Sequence, residues 1–149
     1  MMATPQENAA TAREFIQRVF NEGDITFAEK MLSEAFVDHN PMPGSTGDKT
    51  GAIAMFTMMR EQTPDMHIEI EDVIASGNKV AVRSSMNGTD TNGFMPGMPP
   101  TNKSFSMGAI DVLTFDDDGM NTEHYGVYDM AGTMTQLGLL PGPEAPPPS

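Results

Sequence analysis

At Met66 the apolar pattern of this chain changes period. Upstream, Ala12, Phe15, Ile16, Val19 and Phe20 recur at helical spacing and form one stripe. Downstream, "MHIEIEDVIA", "KVAVRSSMNGT", "SFSMGAIDVLTF" and "MNTEHYGVYD" alternate side chains residue by residue, as strands do. Helices followed by strands predict an α+β domain. Three N-terminal helices packed on the concave face of a curved antiparallel sheet make a cone with a ligand-sized mouth.

Local signals fix the elements further. Thr4, Pro5 and Glu7 form a capping box with Pro at the first helical position, and Gly23 ends that helix. Asp24 opens a second short helix with Phe27, Ala28, Met31 and Leu32 on its buried face. "FVDHNP" is a short extended piece, "PMPGSTG" a loop, and Lys49 to Glu61 a third helix stopped by Pro64. "SGNK" and "DDDG" are tight turns between strands, whereas "DTNGFMPGMPPTN" is too long for one. A short helical turn, "MAGTMTQLG", follows Asp129. The chain reads as one domain over 1–140 with a Pro-rich tail, 141–149, as a spacer or disordered end.

Composition excludes several classes of function. With 21 acidic against 8 basic residues, the formal charge of −13 repels nucleic acid and anionic membranes. No apolar run reaches the roughly 18 residues of a membrane span, and no secretory leader is visible. Without cysteine there is no disulfide or thiolate site, and a cytoplasmic location is expected. Three scattered histidines, His39, His67 and His124, lack metal-ligand spacing, so no metal is expected. Fifteen methionines suit a loosely specified core or a pocket for a bulky ligand.

The strand "EHYGVYD" carries the acid–base candidates. Alternation puts Glu123, Tyr125, Val127 and Asp129 on one face and Thr122, His124, Gly126 and Tyr128 on the other. If Tyr125 and Val127 face the cone, Asp129 does too, and apolar surroundings raise its pKa. Alternatively, Asp129 caps the helix that opens at Met130. His124 is then expected on the outer face.

The ordered set "FVDHNP", "TPDMHIEIEDVIASGNKVAVR", "NGFMPGMPPTNKSF" and "DDDGMNTEHYGVYDMAGTMTQLG" resembles the SnoaL-like polyketide cyclases, or ester cyclases, of the nuclear-transport-factor-2-like superfamily. The resemblance spans roughly residues 8 to 140. It implies a cystatin-like α+β barrel and cofactor-independent aldol closure of a polyketide methyl ester, with Asp129 as acid/base. His39 is implied as a second polar group beside the pocket, although a bond to loop backbone would equally explain it. Asn40 orients substrate or fixes the turn before Pro41. Arg83 clamps an anionic group or pairs with an acid. Phe94 and Met95 form a lid or a subunit contact, and Phe105, Met107 and Tyr125 line the pocket. Relatives place a His on the strand before the last-strand Asp, where this chain has Met107, Ala109 and Ile110.

Two functions remain open on these grounds: a cyclase-type enzyme acting on a bulky carbonyl compound, and a non-catalytic binding protein for a small hydrophobic ligand. Exposed strand faces also predict a homodimer.

Overall fold

The computed structural model describes residues 3–140. The Pro-rich tail and its expected disorder lie outside the described residues. Four helices and five strands follow in the order α1 (Pro5–Phe15), a π-helical turn (Ile16–Asn21), α2 (Ile25–Met31), β1 (Leu32–Asp38), α3 (Lys49–Gln62), β2 (His67–Ser76), β3 (Lys79–Thr89), β4 (Ser104–Phe115), β5 (Asn121–Tyr128) and α4 (Met130–Gln136). The α+β reading of helices on one curved sheet holds.

The sheet has the order β1-β5-β4-β3-β2. Four strands form the expected antiparallel meander, and β3 and β4 coincide with the alternating segments read from the sequence. The fifth strand departs from expectation. "LSEAFVD" extends the piece read from "FVDHNP" back to Leu32 and pairs parallel with β5, so the sheet is mixed. Strands β1 and β2 are its two edges, and the sheet is not closed into a barrel.

The helix starts follow their caps. Thr4 Oγ1 accepts from the Glu7 N–H at 3.1 Å and Asp48 Oδ1 from the Gly51 N–H at 2.8 Å. The expected cap at Asp24 makes no such bond to helix backbone; its carboxylate instead pairs with the Thr26 hydroxyl. Helical spacing did not foretell the π turn. Two tertiary clamps hold it: Arg60 donates to the Phe20 carbonyl at 2.8 Å, and the Asn21 amide bonds both N–H and C=O of Ile68 at 2.7 and 3.0 Å. The widened turn aims Phe20 inward, where it packs against all three apolar clusters of the core. Its ring meets Phe56 edge-on at 5.0 Å. Between these helices and the inner sheet face a cavity of ≈ 160 Å³ remains.

Candidate active site

Most of the cavity wall is apolar. Phe15, Phe20 and Phe56 close one side, and eight of the fifteen methionines contribute to the lining. Thioethers on flexible stems let such a wall change shape at small cost. The loop between β3 and β4 supplies Phe94, Met95 and Pro96, and Phe94 rests edge-on against Phe105 at 5.3 Å. The neck of that loop is tied by the buried Asp90, whose Oδ2 accepts from the Thr101 N–H and hydroxyl at 3.0 and 2.8 Å.

Ionisable groups gather on one stretch of this wall. Phe36 points into the core, so alternation along β1 brings Asp38 inward as well, where it is 6 % exposed. From β5 come His124 and Tyr128, and from β4 Asp111. The His124 ring bridges the two carboxylates: Nδ1 lies 2.9 Å from Asp38 Oδ1 and Nε2 2.6 Å from Asp111 Oδ1. Tyr128 Oη donates to the same Asp111 oxygen at 3.0 Å. Among the described residues, no hydrogen bond reaches Asp111 Oδ2.

The electrostatics follow from burial and pairing. Burial alone would depress the His124 pKa, but hydrogen bonds to Asp111 and Asp38, with their charges, raise it to about 9. Asp38 shows the same contest in reverse. Burial pushes it up, while the His124 bond, the Asn40 N–H at 3.0 Å and nearby imidazole charge bring it below its usual value. Burial, then the Asp111 charge, raises Tyr128, which keeps its proton at neutral pH. At pH 7 Asp38 is therefore a carboxylate, His124 an imidazolium and Tyr128 a phenol.

Gly126 makes this row possible. A Cβ there would sit 2.5 Å from Tyr128 Oη, 2.8 Å from Asp111 Oδ1 and 2.9 Å from His124 Cε1. Its N–H donates to Asn40 Oδ1 at 3.0 Å, joining the end of β1 to β5. Gly126→Ala is expected to destabilise the fold by about 1–3 kcal/mol through overpacking and to lower the His124 pKa. Urea unfolding and a His124 NMR titration check this. An unchanged titration would show that the row tolerates a methyl group.

Several sequence-based placements are corrected by these positions. Asp129 does not face the cavity. Its Oδ1 caps α4 by accepting from the Gly132 N–H at 2.9 Å, in an exposed position. Strand β5 alternates as read but in the opposite phase: Tyr125 and Val127 are 43 and 65 % exposed on the outer face, and His124 points in. His39 is also on the outer side, stacked on Tyr125 at 4.2 Å and 3.2 Å from Glu123 Oε1. Arg83 pairs with Asp72 at 2.6 Å on the outer face. Phe105 is buried in the core behind Phe94 rather than at the cavity wall. Asn40, Phe94, Met95 and Met107 do line the cavity. Asp38, Asp111, His124 and Tyr128 were the residues missed. Parity was the available signal, since Phe36 shares a face with Asp38 and Met107 with Asp111.

No group of three or more His, Cys, Asp or Glu among the described residues is arranged to hold a metal ion, and both His124 ring nitrogens are committed to carboxylates. No described helix is long and apolar enough to cross a membrane.

Known proteins share this architecture. The chain superposes on TsrD of Streptomyces laurentii with a TM-score of 0.81 at 24% identity, covering 93% of this chain and 100% of that one. IdmH of Streptomyces antibioticus, assigned as a polyketide cyclase, gives 0.77 at 27% identity over 89% and 99% of the two chains. In sequence, otaY of Aspergillus carbonarius, assigned as a cyclase, is 28% identical over 125 residues, 83% of this chain and 90% of that protein. The family model for SnoaL-like polyketide cyclases matches residues 10–137. With that match covering most of the domain, the chain belongs to the SnoaL-like polyketide cyclase family.

Proposed function

We propose that the protein is a cytoplasmic enzyme catalysing acid–base carbonyl chemistry, of the aldol ring-closing kind, on an uncharged and largely apolar substrate. The observation that carries this reading is the row Asp38–His124–Asp111–Tyr128 set into an otherwise apolar cavity. Asp111 is the proton shuttle in place of Asp129. Its carboxylate takes the proton from a carbon activated by neighbouring carbonyls, which requires only a weak base. The resulting enolate carbon attacks a second carbonyl of the same substrate, and the Asp111 carboxylic acid returns its proton to the new alkoxide. Throughout, His124, paired with Asp38, holds Asp111 Oδ1 in place. Tyr128, held protonated, fixes the Asp111 oxygen it bonds.

Lining and volume limit the substrate. No Lys or Arg lines the cavity among the described residues, and the His124 imidazolium is already shared between Asp38 and Asp111, so an ester or ketone is favoured over a carboxylate. A dry cavity of roughly 150 Å³ already admits benzene, so ≈ 160 Å³ takes about one ring with the Met walls as they stand. A longer substrate displaces methionine side chains or the Phe94–Pro96 segment. Phe94→Ala is accordingly expected to raise KM more than it lowers kcat, because it removes apolar contact and not the proton shuttle. A kcat loss with KM unchanged would contradict that role.

The test of the reaction class is α-proton exchange. Wild-type protein incubated in D2O with a 3-oxo methyl ester should exchange the C2 protons above the uncatalysed rate, followed by ¹H NMR. Failure to exceed that rate over a panel of apolar 3-oxo esters would favour the binding-protein reading.

The outer sheet face supports a homodimer. Val37, Ile74, Ile110, Tyr125 and Val127 are exposed there, more apolar surface than a solvated sheet face normally presents. Light scattering should return twice the 16.1 kDa chain mass, and Val127→Glu should return a single one. A monomeric wild type would sink the dimer.

A further inference from the structure

We propose that Ser84 is the group that holds the substrate's carbonyl oxygen while Asp111 takes the neighbouring proton. The inference rests on reading the Asp111 end of the cavity as the acid–base centre, and it identifies the donor that an enolate-forming site requires.

Ser84 lies in the middle of β3 and is buried, between Val82 and Met86, all three lining the cavity. Its hydroxyl makes no hydrogen bond to any described residue and opens onto the cavity, so its proton is available to a bound oxygen acceptor in an apolar wall where such a bond counts for more than in water. Asn121 already donates to the carbonyls of Thr114 and Glu123 at 2.9 and 3.0 Å, and Asn40, which accepts from Gly126 through Oδ1, is exposed at the rim, whereas Ser84 is set inside the wall.

Register places Ser84 correctly for the task. It pairs with Ala109 across the β3–β4 ladder, while Val82 pairs with Asp111. Ser84 and Asp111 are therefore diagonal neighbours on the cavity face, with a spacing of roughly 7–8 Å. A hydrogen bond of roughly 2.8 Å to a carbonyl oxygen, the width of an O=C–C unit, and a contact of roughly 3–3.5 Å for the reacting α-carbon bridge that gap. When Asp111 accepts the proton, the C–H electron pair moves into the C=C bond of the enolate and the carbonyl oxygen becomes negative. The hydrogen bond donated by the Ser84 O–H strengthens at that moment, which is what makes it catalytic rather than a uniform binder. Ser84 keeps its proton throughout.

The experiment uses methyl 3-oxododecanoate labelled with ¹³C at the ketone, with wild type, Ser84→Ala and Asp111→Asn in parallel. The bound ketone resonance should move downfield in wild type and in Asp111→Asn, and should lose that displacement in Ser84→Ala. Exchange of the C2 protons should fall about 100-fold in Ser84→Ala, mainly in kcat, with the His124 titration unmoved. A resonance that shifts no further in wild type than in Ser84→Ala overturns the assignment, as does exchange at the wild-type rate in Ser84→Ala. A displacement that depends on Ser84, together with undiminished exchange in Asp111→Asn, supports Ser84 as the carbonyl holder and overturns Asp111 as the base.

Discussion

Asp111→Asn should slow α-proton exchange on a 3-oxo ester by about 10²–10⁴-fold, the range a positioned general base contributes. Asp129→Asn should leave it within about twofold. The contrast follows from where the two carboxylates sit. Asp111 opens onto the cavity with Oδ1 held by His124 and Tyr128. Asp129 spends its side chain on the first turn of α4. Removing that cap with Asp129→Ala should cost about 1 kcal/mol of stability, visible in urea unfolding and not in exchange. Asn at position 111 is close to isosteric with Asp, so a loss of exchange reports the missing base rather than collapse of the wall. The reverse pattern, with exchange lost at 129 and kept at 111, would restore the last-strand Asp as the shuttle and remove the cavity row from the mechanism.

Stability should fall by roughly 3 kcal/mol as pH rises from about 6.5 to 9, from the His124 shift at 1.36 kcal/mol per unit. The folded-state pKa lies above that of an unfolded imidazole, so the folded chain binds the extra proton. The contribution is complete below about 6.5 and is lost as pH rises through 9. Asp38 acts oppositely: its pKa is lowered, so its contribution is complete above the ordinary Asp range and disappears as pH falls through the lowered value. Together they place the stability maximum on the mildly acidic side of neutrality. Urea midpoints for wild type and His124→Gln at pH 6.5 and 9 measure the alkaline limb. His124→Gln should be less stable at pH 6.5, with two facing carboxylates and no cation, and its slope between the two pH values should vanish. A wild-type midpoint flat across this window would show that His124 is neutral in the fold.

The change of period at Met66, the capping box at Thr4 and the strand limits of β3 and β4 were legible because each depends on a few neighbouring residues. The mixed edge was not. The pairing of β1 with β5 joins segments far apart in the chain, and "LSEAFVD" lacks the β-branched density that marks a strand by itself. The phase of β5 failed for a different reason. Its outer face carries Tyr125 and Val127, beside Ile110 on β4, and is as apolar as a core face, so hydrophobicity pointed the wrong way. The inner face carries His124, Gly126 and Tyr128, residues whose polarity is satisfied only by Asp38 and Asp111 from other strands. A site built from inward polar residues inverts the ordinary pattern. The loop residues Phe94 and Met95 were readable because apolar side chains in a Gly/Pro-rich loop have few other places to go.

His124 is a half-buried imidazolium held between Asp38 and Asp111 at the cavity wall. The direct test is an NMR titration of the His124 ring, assigned by its loss in His124→Gln, on wild type and on Asp111→Asn. The midpoint should lie at about 9 in wild type and fall clearly when one flanking carboxylate is removed. A wild-type midpoint at or below that of free imidazole, about 6.5, would mean that burial outweighs the carboxylates, and the proposed acid–base row would not exist as described.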